Sequence, residues 1–210
     1  MTVFETAHAF TARWEGGFVN HPNDPGGATN HGVSLRWLKS EGIDLEFSLP
    51  LAIDHNGDGV IDILDIKALT PKQASILFRV AFWDRLRLDE MPLLVATVVY
   101  DAAVNVGRGQ AVKFLQRACN ALQGERLVDD GVLGPKTRAR VNWAVTFLTT
   151  DHLLALSCVG MREVFHSMLA ANSPYPDGRD YRPFLRGWLN RTADLRTYIN
   201  TMGVPNAKAA

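Results

Sequence analysis

Glu15-Gly16-Gly17-Phe18-Val19-Asn20-His21-Pro22-Asn23-Asp24-Pro25-Gly26-Gly27-Ala28-Thr29-Asn30-His31-Gly32 is the stretch on which the reading of this chain turns. Residues 2–15 have helical character, with Thr2 as N-cap and Val3, Ala7, Phe10 and Trp14 as apolar positions. The helix cannot continue beyond Glu15. Two Gly-Gly pairs and two prolines impose a tight, specific loop over 16–33. Such a loop brings Asp24, Thr29 and Asn30 back toward the carboxylate at the helix end. A carboxyl on a rigid helix facing a polar loop is the minimal arrangement for protonating a glycosidic oxygen.

Outward from this loop the chain reads as helices joined by short turns. Ser34 is the N-cap of a short helix over 34–41, ended by Gly42, and 43–53 reads as irregular. Thr70-Pro71 places proline at the first helical position and opens a helix to about residue 83. Met91-Pro92 opens a long apolar helix to about residue 106, punctuated by Gly107 and Gly109. A helix over 109–123 lays Val112, Leu115, Ala118, Cys119 and Leu122 on one face, and Pro135 opens the next. Residues 150–171 form a long helix with Leu153, Leu156, Val159, Met161 and Val164 as its core stripe. A proline-bearing link over 173–183 leads to a last helix over 183–201. Strand is scant and no repeat appears, so the expected fold is mostly α.

With 210 residues, 47% of them hydrophobic, the chain is long enough for one sizeable core. Its 22 basic and 22 acidic side chains balance, so the basic excess of a nucleic-acid binder is missing. Cys119 and Cys158 lack metal-ligand spacing and read as two buried thiols, which suits a reducing compartment. The histidines form no HxxxH pair, which argues against a zinc peptidase. The first residues carry Glu5, His8 and Arg13 without an uninterrupted apolar core, and read as neither signal peptide nor membrane anchor. The apolar stretches near 93–99 and 153–160 are too short to span a bilayer. Arg179, Arg182, Arg186, Arg191 and Arg196 alternate with Asp177, Asp180 and Asp194. They read as snorkelling arginines of a packed helix in preference to a membrane-binding face.

Residues 54–65 hold a second constellation. Asp54, Asn56, Asp58, Asp62 and Asp65 fall at positions 1, 3, 5, 9 and 12 of a calcium-loop pattern, Val60 offers its backbone carbonyl, and Gly59 stands where the chain must turn sharply. Ile61 is expected to point inward. So many oxygen-bearing side chains in one short loop repel one another unless a cation sits among them. The expected ion is Ca2+, structural in role, shaping one wall of a substrate cleft. The alternative is a solvated Asx-rich turn. Asp65 in place of the usual Glu, followed by Ile66-Lys67-Ala68-Leu69, resembles dockerin-type loops more than a full EF-hand.

The stretch from Glu15 to Ser34 resembles the signature of the glycoside hydrolase 108 family of phage and prophage muramidases. Tyr100-Asp101-Ala102-Ala103-Val104-Asn105-Val106-Gly107, Lys113-Phe114-Leu115-Gln116 and Asp129–Thr137 are similar to the family's middle section, and Phe184–Arg191 to its C-terminal section. The resemblance implies a lysozyme-like helical fold with a small lobe, here carrying the calcium loop. It implies hydrolysis of the β-1,4 bond between N-acetylmuramic acid and N-acetylglucosamine in bacterial peptidoglycan, hence host lysis and antimicrobial use as an endolysin.

Glu15 then stands as general acid, its apolar wall supplied by Phe18 or the 93–104 helix. In related phage lysozymes an acidic residue at the spacing of Asp24, followed by a threonine, completes the site. Thr29 comes one residue early for that pattern, and turn chemistry alone also accounts for Asp24. Leu115-Gln116 with Asp130-Gly131…Gly134-Pro135-Lys136-Thr137 resembles a small peptidoglycan-binding module, read here as scaffolding in preference to direct wall contact.

The expected organisation is a catalytic region over 1–107, a helical peptidoglycan-binding-like region over 108–200 and a tail over 201–210. The expected protein is a monomer without nucleic-acid partner or stable membrane insertion, held in the host bacterial cytoplasm until release to the wall. A lytic transglycosylase is the neighbouring alternative. A calcium-dependent binding module is the alternative of another class, disfavoured by the single loop.

Overall fold

The computed structural model describes residues 1–20, 27–40, 53–122 and 124–203. It is mostly helical, with 67% helix and 3% strand, as expected. Its packing separates into two units, Met1–Phe10 with Leu86–Ala210, and Thr11–Arg85.

Helix α1 (Val3–Trp14) begins in the first unit and ends in the second. Thr2 caps it by accepting from the Glu5 amide at 3.2 Å, while the Thr2 amide donates to the Glu5 carboxylate at 2.8 Å. This reciprocal box satisfies two of the N–H groups that every helix start leaves open. Its buried stripe is Phe4, Ala7, Phe10 and Thr11, whereas Val3 is exposed. The expected stripe is thus shifted because the larger Phe4 takes the inner position, edge-on to Tyr100 at 5.7 Å.

The rest of the first unit is built on α5 (Leu93–Val106), α6 (Arg108–Asn120), α7 (Pro135–Phe147), α8 (Asp151–Ala171) and α9 (Leu185–Gly203). Helix α5 is buried continuously from Leu94 to Ala103, as its near-unbroken apolar sequence requires. Gly107, at φ +87°, turns the chain between α5 and α6. Val112, Leu115, Ala118 and Cys119 line the buried face of α6 as expected. Cys119 and Cys158 are free, buried thiols, and burial pushes the Cys119 thiol up to about 11.

Helix α8 departs from its expected stripe. Leu153 and Val164 are exposed, and the buried face is Leu154, Ala155, Cys158, Val159, Arg162, His166 and Ala170. The cause is an ionic core. Asp101 on α5 is fully buried and accepts from Arg162 at 2.6 Å and from Arg191 on α9 at 2.7 Å. Burial alone would push this carboxyl up, but the two guanidinium groups outweigh it and hold Asp101 below the usual carboxylate range. Arg162 also donates to His166 Nε2 at 3.3 Å, and the His166 ring stacks on Trp188 at 4.4 Å. Arg191, expected to snorkel, is instead a core residue. By length and composition α8 is long and apolar enough to cross a membrane. Here it packs on α5, α6 and α9.

In the second unit a hairpin of Thr29–Asn30 (β1) and Val33–Ser34 (β2) precedes helix α2, residues 35–40. Ser34 caps α2 by accepting from the Trp37 amide at 3.2 Å. Helix α3 (Ile63–Ala68) follows the acidic loop, and α4 (Pro71–Phe78) opens at Thr70-Pro71 with a complete capping box to Gln73. The helix expected over 70–83 changes character at Arg79, where Arg79–Asp84 winds as a π-helix. The wider coil places Ala81, Phe82 and Trp83, three consecutive residues, all inside. Trp37 stacks on Phe82 at 5.8 Å and closes the aromatic core of this unit.

Candidate functional site

Glu15 follows the last residue of α1 and is partly buried. What lies against it is the turn of the hairpin. The two loop residues between the strands, His31 at φ +48° and Gly32 at φ +79°, are both left-handed. This is the turn that matches the twist of paired strands, and it strongly favours glycine at its second position. Gly32 is required for a second reason. A Cβ there would lie 2.7 Å from Glu15 Oε2 and 2.8 Å from Glu15 Cβ. The carboxyl-bearing side chain is therefore seated directly on backbone that only glycine leaves open.

Two sets of bonds hold the hairpin in place. Val19 and Thr29 exchange both backbone hydrogen bonds at 2.8 Å, tying the segment just after Glu15 to β1. On the opposite face of β1, Asn30 is buried and its Nδ2 donates to the carbonyls of Ile66 at 3.0 Å, Lys67 at 3.3 Å and Leu69 at 3.3 Å. The amide thereby closes the C-terminal end of α3, where carbonyls lack helical partners. The structure thus links the acidic loop to Glu15 through α3, Asn30 and the His31-Gly32 turn.

Of the expected site residues, Glu15 occupies a built position. Thr29 lies in β1, partly buried, its hydroxyl donating to the Gly27 carbonyl at 3.4 Å. Asp24 lies outside the described residues. Phe18, one expected wall for Glu15, is 41% exposed. Asn30, expected to turn back toward the Glu15 carboxylate, turns its amide to α3 instead, and the sequence reading does not single out Gly32 as a site residue. The signal for Gly32 was Asn30-His31-Gly32 between two β-compatible residues, a two-residue hairpin loop.

The acidic loop takes the sharp turn its glycines allow, with Gly57 at φ +71° and Gly59 at φ +80°. Asp54 accepts from the amides of Gly57 and Gly59, each at 2.7 Å. Asp58 accepts from the Val60 amide at 2.8 Å, and Asp62 caps α3 through the Leu64 amide at 2.6 Å. Asp65, fully buried, accepts from the amides of His55 and Asp62, each at 2.8 Å. Asn56 donates to Asp58 at 2.8 Å, and Ile61 is partly buried. Among the described residues no group of three or more His, Cys, Asp and Glu is placed to hold a metal ion. The carboxylates are turned to backbone amides, yet each ionised carboxylate keeps further acceptor sites. The side-chain arrangement is that of a self-capped loop.

In the first unit Gln116 is buried and organises the following turn. Its amide donates to Asp130 at 2.8 Å, to the Val132 carbonyl at 3.2 Å and to Thr137 at 3.2 Å, and accepts from Gly131 at 2.9 Å. Gly131, at φ +80°, passes so close to Gly109 that a Cβ would meet its carbonyl at 2.7 Å. The Gln116, Asp130, Gly131 and Thr137 motif thus holds the turn between α6 and α7 in shape.

Residues 8–107 match the family model described as glycosyl hydrolase 108, and residues 110–193 match that of a predicted peptidoglycan domain. Among solved structures the chain is similar to SagA of Brucella abortus, at 26% identity and a TM-score of 0.69, over 97% of each chain. No match is found among curated proteins.

Proposed function

We propose that this chain, whose residues 8–107 match the glycosyl hydrolase 108 model and whose matches support a peptidoglycan-degrading glycosidase, is a muramidase with Glu15 as general acid. It cuts the β-1,4 bond between N-acetylmuramic acid and N-acetylglucosamine and serves as a phage endolysin, a monomer that lyses its host. The observation that carries the reading is the seating of Glu15 against Gly32, which fixes one carboxyl at a helix end beneath a polar hairpin. Glu15 protonates the leaving glycosidic oxygen while water attacks the sugar. Asp24 supports the developing positive charge on the ring or orients that water, and Thr29 belongs to the same loop. The test is digestion of purified peptidoglycan. New reducing ends support a hydrolase, whereas 1,6-anhydro ends identify a lytic transglycosylase.

The Gly32 contact yields a prediction. Gly32→Ala forces Glu15 to move, and misplacement by about 1 Å is enough for a roughly hundredfold loss of turnover. The strain of a left-handed alanine adds only about 1–2 kcal/mol of destabilisation. Turnover by a folded Gly32→Ala protein equal to wild type contradicts this placement of the acid.

We further propose that Asp54, Asn56, Asp58, Val60, Asp62 and Asp65 hold Ca2+, which orders the loop and does no chemistry. Support comes from their spacing and the two left-handed glycines. An ion that binds only the folded chain stabilises it by about 2.7 kcal/mol at a hundredfold excess over its Kd. Chelation is expected to lower Tm and wall-lysing activity together, calcium to restore both, and Asp58→Ala to remove the response. A melting curve of metal-free protein that does not rise when calcium is added returns the loop to a plain acidic turn.

A further inference from the structure

A cavity of about 910 Å³ lies in the first unit, between the 125–132 segment and α7. It falls wholly within the span matched by the peptidoglycan domain. It is in the size range of small-ligand sites. Its walls are built rather than incidental. Asn120 holds the 125–132 segment from behind by bonding both the amide and the carbonyl of Leu127, at 2.7 and 2.8 Å. Gln116 fixes its far end through Asp130, Gly131 and Val132. What this leaves facing the cavity is an apolar lining with Val128 77% and Val132 61% exposed, flanked by Arg126 and Lys136.

Peptidoglycan offers two chemistries. Its glycan is uncharged backbone read by hydrogen bonds and by stacking on open aromatic faces. Its short stem peptides carry free carboxylates and alanyl methyl groups. The one aromatic ring of the lining, Trp143, has the Arg140 guanidinium 4.3 Å from its centre, and Gly124 lies so close that a Cβ would be 3.0 Å from the ring. Arg140 thus takes one face of the indole, while Trp143 stays 37% exposed, so the charged rim decides which of the two chemistries the cavity favours. Of the two carboxylates in the lining, Asp130 is bonded through Oδ1 to the Gln116 amide and the Val132 amide. The lining carries Arg126, Lys136 and Arg140 against Glu125 and Asp130, and Arg126 and Lys136 are its exposed cations. We propose that this cavity binds the stem peptide of peptidoglycan, with methyl groups on Val128, Val132 and Pro135 and carboxylates on Arg126 and Lys136. The site is separate from Glu15 in chemistry, and the proposal rests on peptidoglycan being the polymer attacked.

The test uses the full chain carrying Glu15→Gln, so that nothing is cut, with nitrogen-labelled protein observed by NMR. The indole N–H of Trp143 is assigned by its loss in Trp143→Phe. A synthetic stem tetrapeptide is expected to shift that signal and the amides of 126–132. Lys136→Glu combined with Arg126→Glu is expected to weaken binding about tenfold or more, from the loss and reversal of two rim contacts. Helix α7 tolerates the change, because an acidic residue in its first turn suits the helix dipole. Overturning results are an unshifted indole at millimolar tetrapeptide, an undiminished affinity in the double variant, or shifts produced by a peptide-free glycan oligomer instead. If the active protein fails to cut peptidoglycan yet the tetrapeptide binds, the muramidase reading falls and this one stands. If it cuts and the tetrapeptide does not bind, the reverse holds.

Discussion

Glu15→Gln is expected to lower activity on purified peptidoglycan at least about a hundredfold, the lower range for loss of a general acid, with Tm held near wild type. The side chain sits against Gly32, where shape matters, and glutamine keeps that shape while removing the transferable proton. A glutamine variant with near-normal turnover contradicts the assignment outright. Asp24→Asn is expected to cost less, consistent with an electrostatic or water-orienting role.

Asp101→Ala is expected to be the most destabilising single change, by about 3–5 kcal/mol, the scale for leaving buried charge uncompensated. Asp101 is the anionic partner of both Arg162 and Arg191, which lie 1% and 7% exposed, and it joins α5 to α8 and α9. Urea denaturation of the variant measures the loss directly, and a change below about 1 kcal/mol contradicts a central ionic core. Acid should attack the same cluster. His166 is pushed down from 6.5 to about 4, chiefly by burial and then by the neighbouring arginines. Its folded form thus binds a proton less readily than the unfolded chain, so stability is fully present above 6.5 and falls as pH drops from 6.5 toward 4. Asp101, held below 3.8, adds a loss that begins under that value. A His166→Phe protein is expected to show a flatter melting profile between pH 6.5 and 4.

How much of this was legible beforehand follows from local chemistry. Thr2, Ser34 and Thr70-Pro71 mark helix starts by side-chain capping, a signal confined to three or four residues, and each is a cap in the structure. The α8 stripe was misread because periodicity counts only apolar residues. Arg162 and His166 are inside on account of Asp101, sixty residues away in sequence, and nothing local announces that. The same holds for Asn30. Its spacing after Glu15 pointed toward the loop, but its amide turns to the carbonyls of α3. Gly32 was readable as a turn residue and not as the floor under Glu15, since that contact depends on the hairpin folding back. The π-helical turn at Arg79–Asp84 likewise reflects packing of Phe82 and Trp83, not propensity.

The central claim is that Glu15 is the general acid in hydrolysis of a glycosidic bond of peptidoglycan. The measurement that tests it most directly is mass spectrometry of products formed from purified peptidoglycan in water labelled with heavy oxygen. The account predicts disaccharide products whose new reducing end carries one atom of label, formed by wild type and suppressed in Glu15→Gln. Unlabelled 1,6-anhydro products, lighter by one water, or labelled products formed equally by Glu15→Gln, would contradict it.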